Sequence, residues 1–153
     1  MKKIIILAML IASYAGAANA YSPVRLRNVC YIYISEKSDS MVYCCDRWTT
    51  IDQLKDLLKQ YVANIEGEEF EAYGVGMLKE QRAIIALQTT RGAMYKTYFS
   101  VQNEISKAYN ELRDEMALKL WSCSYNQLKP YQQEAVCRVY PMIVSDTEPR
   151  YRP

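Results

Sequence analysis

Apolar side chains recur at Met94, Tyr98, Val101, Ile105, Ala108, Leu112, Met116 and Leu120, in steps of four and three. That spacing draws one stripe along a helix. Lys96, Gln102, Asn103, Glu104, Lys107, Glu111, Arg113 and Glu115 lie mostly off the stripe, and neither Pro nor Gly interrupts the run. The pattern predicts a helix over 94–120, ~40 Å long at ~1.5 Å per residue. A stripe of that length needs cover from the rest of the chain.

Upstream, 29–35 (VCYIYIS) is rich in β-branched and aromatic residues and reads as a strand. The polar stretch 36–39 makes a turn, and 40–45 (SMVYCC) returns as a second strand. A four-residue turn sets Ser35 opposite Ser40 and Cys30 opposite Cys45, with the register open. Trp48-Thr49-Thr50 leads into a helix whose face is Ile51, Leu54, Leu58, Tyr61 and Ile65, with Thr50 and Gln53 spaced as a capping box. Gly67 suits a left-handed helix stop near 64–67. Glu66, Glu68, Glu69 and Glu71 then read as acidic residues at the next helix start. Gly74-Val75-Gly76 loosens that helix or admits a close neighbour, because no Gly-Lys-Ser/Thr follows it. A helical pattern resumes over 77–90, and Thr89 to Gly92 breaks it, favouring a helical hairpin over one helix spanning 69–120. Pro130 opens a last short helix over 130–140, and Pro141 stops it.

The expected fold is therefore mainly α (α+β): a short N-terminal β-hairpin packed on a three- to four-helix antiparallel bundle, stapled by disulfides. Its expected organisation is a signal peptide over 1–20, one domain over 21–144 and a loose tail over 145–153.

Composition changes the picture mainly at the N-terminus. Lys2 and Lys3, the apolar run 4–12 and Ala18-Asn19-Ala20 match a secretory signal cleaved near Ala20. The run is too short to span a membrane, and the first cysteine, Cys30, is too far on for a lipid anchor. The expected location is the periplasm or the medium, and the signal's form favours a bacterial source. Removing the first 20 of 153 residues takes away two lysines and no acid, so the formal net charge falls from +2 to zero. A neutral chain has no global attraction for nucleic acid or anionic lipid.

In an exported protein the five cysteines, Cys30, Cys44, Cys45, Cys123 and Cys137, read as disulfide material. The hairpin trio staples itself or reaches the C-terminal pair, and a Cys123–Cys137 bridge closes a loop of about 15 residues worth ~3 kcal/mol. The odd count leaves one thiol free or able to link two chains. There is no His in the chain, so a zinc site has only Cys or carboxylate ligands to draw on, and the oxidising compartment argues against one. No metal and no cofactor are expected.

The missing His also removes Ser-His-Asp and Cys-His nucleophile arrangements. Glu80, Glu104, Glu111 and Glu115 keep a two-carboxylate hydrolase in view, but Lys107 and Lys119 sit at ion-pair spacing and explain helical acids as solvated surface. The chain reads as no enzyme; saturable turnover lost on Glu→Gln changes would overturn that. What stands out is 14 Tyr against 2 Phe. Tyr joins an apolar body to a polar tip and suits contact surfaces. In the first strand Tyr31 and Tyr33 share one face while Cys30, Ile32 and Ile34 share the other. Tyr31, Tyr33, Tyr43 and Trp48 are the candidate contacts for a partner protein. The expected function is an exported, non-catalytic protein-binding module, such as an inhibitor or immunity-type protein or a small envelope component. A secreted effector acting on other cells is the alternative.

Overall fold

The computed structural model describes residues 28–37 and 39–147. The proposed signal segment and residues 148–153 of the expected tail lie outside that range. The described chain is built around a five-stranded mixed sheet with two helices on one face, in place of a helical bundle with a hairpin.

The first three strands form a meander. β1 (Val29–Ile34), β2 (Met41–Cys44) and β3 (Arg47–Thr50) pair antiparallel in sequence order. Their residues are β-branched or aromatic at most positions, which suits a pleated, half-buried surface. Tyr33 faces Tyr43 and Ile32 faces Cys44, one residue away from the register expected for a four-residue turn. The expected hairpin thus exists but carries a third strand, since Arg47–Thr50 continues the sheet before the chain turns helical. Cys45 and Asp46, with φ of 51° and 61°, are the two central residues of the β2–β3 turn. Positive φ at both positions matches the strand twist in such a short connection.

α1 (Ile51–Ala63) follows directly, and the Ile51 amide donates to the Ser40 carbonyl at 3.1 Å. Thr50 is the N-cap residue, but its side chain makes no capping bond. The helix closes at Asn64, whose amide donates to the Gln60 and Tyr61 carbonyls. Gly67 serves another need than the expected helix stop. A Cβ there would lie 1.3 Å from the Glu80 carbonyl oxygen, so two backbone segments pass where no side chain fits.

The second expected helix is absent. In its place β4 (Glu69–Ala72) and β5 (Gly76–Lys79) make a two-stranded hairpin, turned through Gly74 (φ 70°) and Gly76 (φ 104°). In β4 the acids Glu69 and Glu71 point outward while Phe70 and Ala72 are buried. The acidic cluster is therefore the solvent side of a strand rather than a helix start. β6 (Ile84–Thr89) then joins the main sheet parallel to β1. Its core, Ile85-Ala86-Leu87-Gln88, is buried throughout, as is usual for a strand enclosed in a parallel region. A short continuous apolar run of that kind has no alternation to set it apart from a helix.

α2 (Tyr95–Trp121) is the helix expected over 94–120. Val101, Ile105, Ala108 and Leu112 of its stripe are buried, whereas Met94 and Leu120 at its ends are exposed. Ser122 caps it in the left-handed region, with its amide donating to the Leu118 carbonyl at 3.0 Å. A 3-10 turn (Tyr125–Gln127) and α3 (Pro130–Val139) follow. β7 (Ile143–Thr147) completes the sheet parallel to β6, giving the order β3-β2-β1-β6-β7. Ser145–Thr147, expected in a loose tail, thus belong to an edge strand.

The main core lies between one sheet face and the helices α1 and α2. Cys30, Ile32, Ile34, Val42, Cys44, Ile85 and Leu87 from the sheet meet Leu54, Leu58, Val62, Val101, Ile105, Tyr109 and Leu112. A smaller core joins the β4–β5 hairpin to α3 through Phe70, Ala72, Ala135 and Val139, and Arg138 stacks 4.1 Å over the Phe70 ring. A third, of Ala117, Leu128 and Val136, pins α3 to the end of α2. None of the helices among the described residues is long and apolar enough to cross a membrane.

Candidate functional site

Two features gather side chains that could carry function, one on each face of the sheet.

The first is a trio of thiols. Alternation along β1 turns Cys30 toward the helices, and the same face of β2 ends at Cys44. The register pairs Cys44 with Ile32, so Cys30 lies diagonally beyond it, beside the turn that starts at Cys45. The Sγ atoms are 3.4 Å apart for Cys30 and Cys44, 3.5 Å for Cys30 and Cys45, and 3.6 Å for Cys44 and Cys45. All three are free thiols in contact, not bonded sulfurs. Cys30 and Cys44 are buried and Cys45 is half-buried, so the trio meets solvent at the turn.

The trio is electrostatically asymmetric. Hydrogen bonds with Cys30 and Cys44 hold the Cys45 thiol far below its ordinary range, and the Arg47 guanidinium acts the same way. For Cys44, hydrogen bonds to Cys30 and Cys45 together with burial push the thiol up. At Cys30 the bond with Cys44 acts downward, but the bond with Cys45 and burial prevail and raise it. Of the three, Cys45 is the thiol whose surroundings most favour the ionised form.

Two tyrosines share this core. Tyr61 on α1 and Tyr109 on α2 have buried hydroxyls with no hydrogen-bond partner among the described residues. Burial raises both, followed by the charge of Cys30, and for Tyr109 the result is about 12. Tyr61 also lines a surface pocket with Asn28, Val29, Ile65, Arg82 and Ile84. The sequence marked neither tyrosine nor Arg47 as a site residue. Their only signal was helical spacing and nearness to Cys45 in the chain, and the fold alone brings α1 and α2 over the thiols.

Cys123 and Cys137 belong to a different place. Cys123 packs at the small core under α3, and the Cys137 sulfur lies 2.9 Å from the Tyr125 hydroxyl. Both are free thiols. The five cysteines thus divide into three and two, and the structure does not bring the hairpin trio to the C-terminal pair.

The second feature is the sheet face turned away from the helices. Pairing places Trp48, Tyr43, Tyr33, Gln88 and Thr147 in one row across all five strands. Tyr31, Ala86 and Ser145 form a second row, Val29, Ile84 and Ile143 a third, and Met41 sits opposite Thr50. All four candidate contacts, Tyr31, Tyr33, Tyr43 and Trp48, are therefore on one face. Tyr31 is 51% exposed and Trp48 44%, while Tyr33 at the centre is buried. The Tyr43 and Trp48 rings meet edge to face with centroids 5.6 Å apart. None of these side chains joins a hydrophobic core cluster of the described residues. The rows contain no charged residue, because Arg47 and Asp146 have the opposite parity.

Among acids, Glu104 pairs with Lys107 at 2.6 Å, and Glu111 and Glu115 bind lysines of α1. These carboxylates are engaged in ion pairs on the helix surface. Comparison with protein-family models and with curated proteins gave no match to this chain.

Proposed function

We propose that the protein is an exported, non-catalytic binding module that seats a partner protein on the sheet face turned away from α1 and α2. The observation that carries this reading is the charge-free aromatic surface formed by the rows through Trp48, Tyr43, Tyr33 and Tyr31. Interface centres are depleted in charge and enriched in Tyr, Trp and Met, and nucleic acid or anionic lipid asks for the reverse. The partner surface is accordingly neutral and apolar. Ala86 and Gln88 of β6 are buried, so the open part of the face lies on β1–β3, where Tyr31, Met41 and Trp48 are exposed. Three strands ~4.8 Å apart and about five residues long make a patch of roughly 240 Å². That is under a third of the ~800 Å² each partner contributes to a standard interface, so the contact belongs to the transient class unless the partner also wraps an edge strand. The absence of His supports a non-catalytic role, and the signal-like first twenty residues support export.

Trp48→Asp and Tyr31→Asp test the face, because both side chains are exposed and the core clusters do not use them. A partner recovered in stoichiometric amount by the native protein is expected to be lost from both variants and kept by Phe99→Asp on α2. A partner retained equally by all three variants overturns the reading. Export is checked separately: intact Met1 on cytosolic protein contradicts it.

A further inference from the structure

We propose that Cys30, Cys44 and Cys45 form a three-thiolate site for a soft divalent metal ion of the zinc class. The sulfurs make a nearly equilateral triangle with sides of 3.4, 3.5 and 3.6 Å. Zinc binds cysteine sulfur at ~2.3 Å, so an ion equidistant from the three sits about 1 Å off their plane with a fourth position open. A regular tetrahedral site asks for sulfurs ~3.8 Å apart, an opening of only a few tenths of an ångström. The side chains are thus close to the required geometry without a bound ion to hold them.

Charge selects the class of ion. Three thiolates and a divalent cation leave one negative charge, and Arg47, paired with Cys44 across the β2–β3 turn, supplies one positive charge beside them. A monovalent soft ion leaves two negative charges against the same arginine in a largely buried place, where uncompensated charge is disfavoured. Without histidine anywhere in the chain, the ligand set is sulfur and so favours soft ions over magnesium or calcium.

The local backbone adds an independent sign. Cys45 opens a two-residue turn at φ 51°, a position where Asn or Gly is the usual choice. A residue poorly suited to its conformation points to a requirement for its side chain. The hydroxyls of Tyr61 and Tyr109 are buried in the same core with no hydrogen-bond partner among the described residues. In an exported protein the competing fate of the trio is oxidation, which joins two of the three sulfurs and excludes the metal, so the site requires that the ion bind before the thiols are oxidised.

The test uses the full chain, purified under reductant and with its thiols counted by alkylation, then titrated with Zn²⁺ and with Cd²⁺. One ion per chain is expected, with a sulfur-to-cadmium charge-transfer band and release of protons as thiols become thiolates. Cys45→Asn keeps a residue that tolerates the turn, so it is expected to fold while losing ~100-fold or more in affinity. Cys30→Ser is expected to lose as much, whereas Cys123→Ser and Cys137→Ser bind as the native protein does. The proposal falls if the fully reduced chain takes no ion at micromolar concentration, or if Cys45→Asn binds undiminished. It falls equally if protein as isolated from its cell carries Cys30 bonded to Cys44 or Cys45.

Discussion

Single residues show where chain chemistry and fold agree and where they conflict. Tyr109 is fully buried, and its hydroxyl has no partner among the described residues. Leaving a buried polar group unpaired costs more than a hydrogen bond returns. Tyr109→Phe is therefore expected to raise stability by about 1 kcal/mol, read as a higher urea midpoint with an unchanged slope. Its pH behaviour follows from the raised phenol, at about 12 in the fold. A raised value favours the neutral form in the native state, so the contribution is complete below the unfolded value near ~10 and fades as pH climbs toward 12. The variant is expected to lose stability less steeply over that window. Gly67 is the converse case, a residue chosen for what it lacks. With the Glu80 carbonyl where a Cβ would go, Gly67→Ala must shift backbone, and a loss of roughly 3 kcal/mol is expected in the same urea experiment. The sequence marked Gly67 as special but for the wrong reason, since a close approach between segments 13 residues apart leaves no trace in local pattern.

At the level of elements, periodicity found what is amphipathic and missed what is enclosed. α1, α2 and α3 begin and end within a residue or two of their expected limits, because each buries one side and wets the other. β3 and β7 were missed because each is short and lies at a sheet edge, and β6 because both its faces are covered. The seam between α1 and α2 is closed on its solvent side by Lys55 and Lys59. Lys55 donates to Glu111 at 2.7 Å, and Lys59 donates to Glu111 at 2.9 Å and also to Glu115. Lys55, then Lys59, holds the Glu111 carboxyl below its usual range, while Glu115 and Glu111 hold Lys59 above its own. A lowered carboxyl stabilises the fold above the unfolded value near ~4.3 and ceases to as pH falls through the folded value; a raised lysine acts below ~10.4 and ceases to as pH rises. These side chains are partly exposed, so solvent and salt weaken the pairs. Glu111→Gln is expected to lower the melting temperature by about 1–3 °C at neutral pH and low salt, with the gap closing in acid and in high salt.

For the whole molecule, the sheet separates the two proposed sites, whose residues the chain interleaves one by one. In β1, Cys30 and Ile32 serve the core while Tyr31 and Tyr33 serve the opposite face. Metal binding and partner binding are consequently expected to vary independently. Trp48→Asp should leave the zinc titration unchanged, and Cys45→Asn should leave partner recovery unchanged. Because the thiol site joins β1, β2 and the β2–β3 turn, an ion that binds only the native state also raises global stability. At a hundred times its dissociation constant the gain is ~2.7 kcal/mol, a concentration-dependent rise in melting temperature that a chelator reverses and Cys45→Asn lacks.

What the sequence determined by itself was local: the long helix, the inward and outward sides of β1, the grouping of Tyr31, Tyr33, Tyr43 and Trp48 as contact candidates, and the want of histidine chemistry. Each depends on spacing within a few residues, where helical or pleated geometry alone decides which side chains share a face. Tertiary structure decided the rest. It set β6 beside β1 and β7 beside β6, so that a hairpin became a five-stranded sheet. It also laid α1 and α2 over the thiols that the hairpin brings together. Those outcomes join segments tens of residues apart, and such pairings are selected by the burial of the entire core rather than by any pattern within one segment.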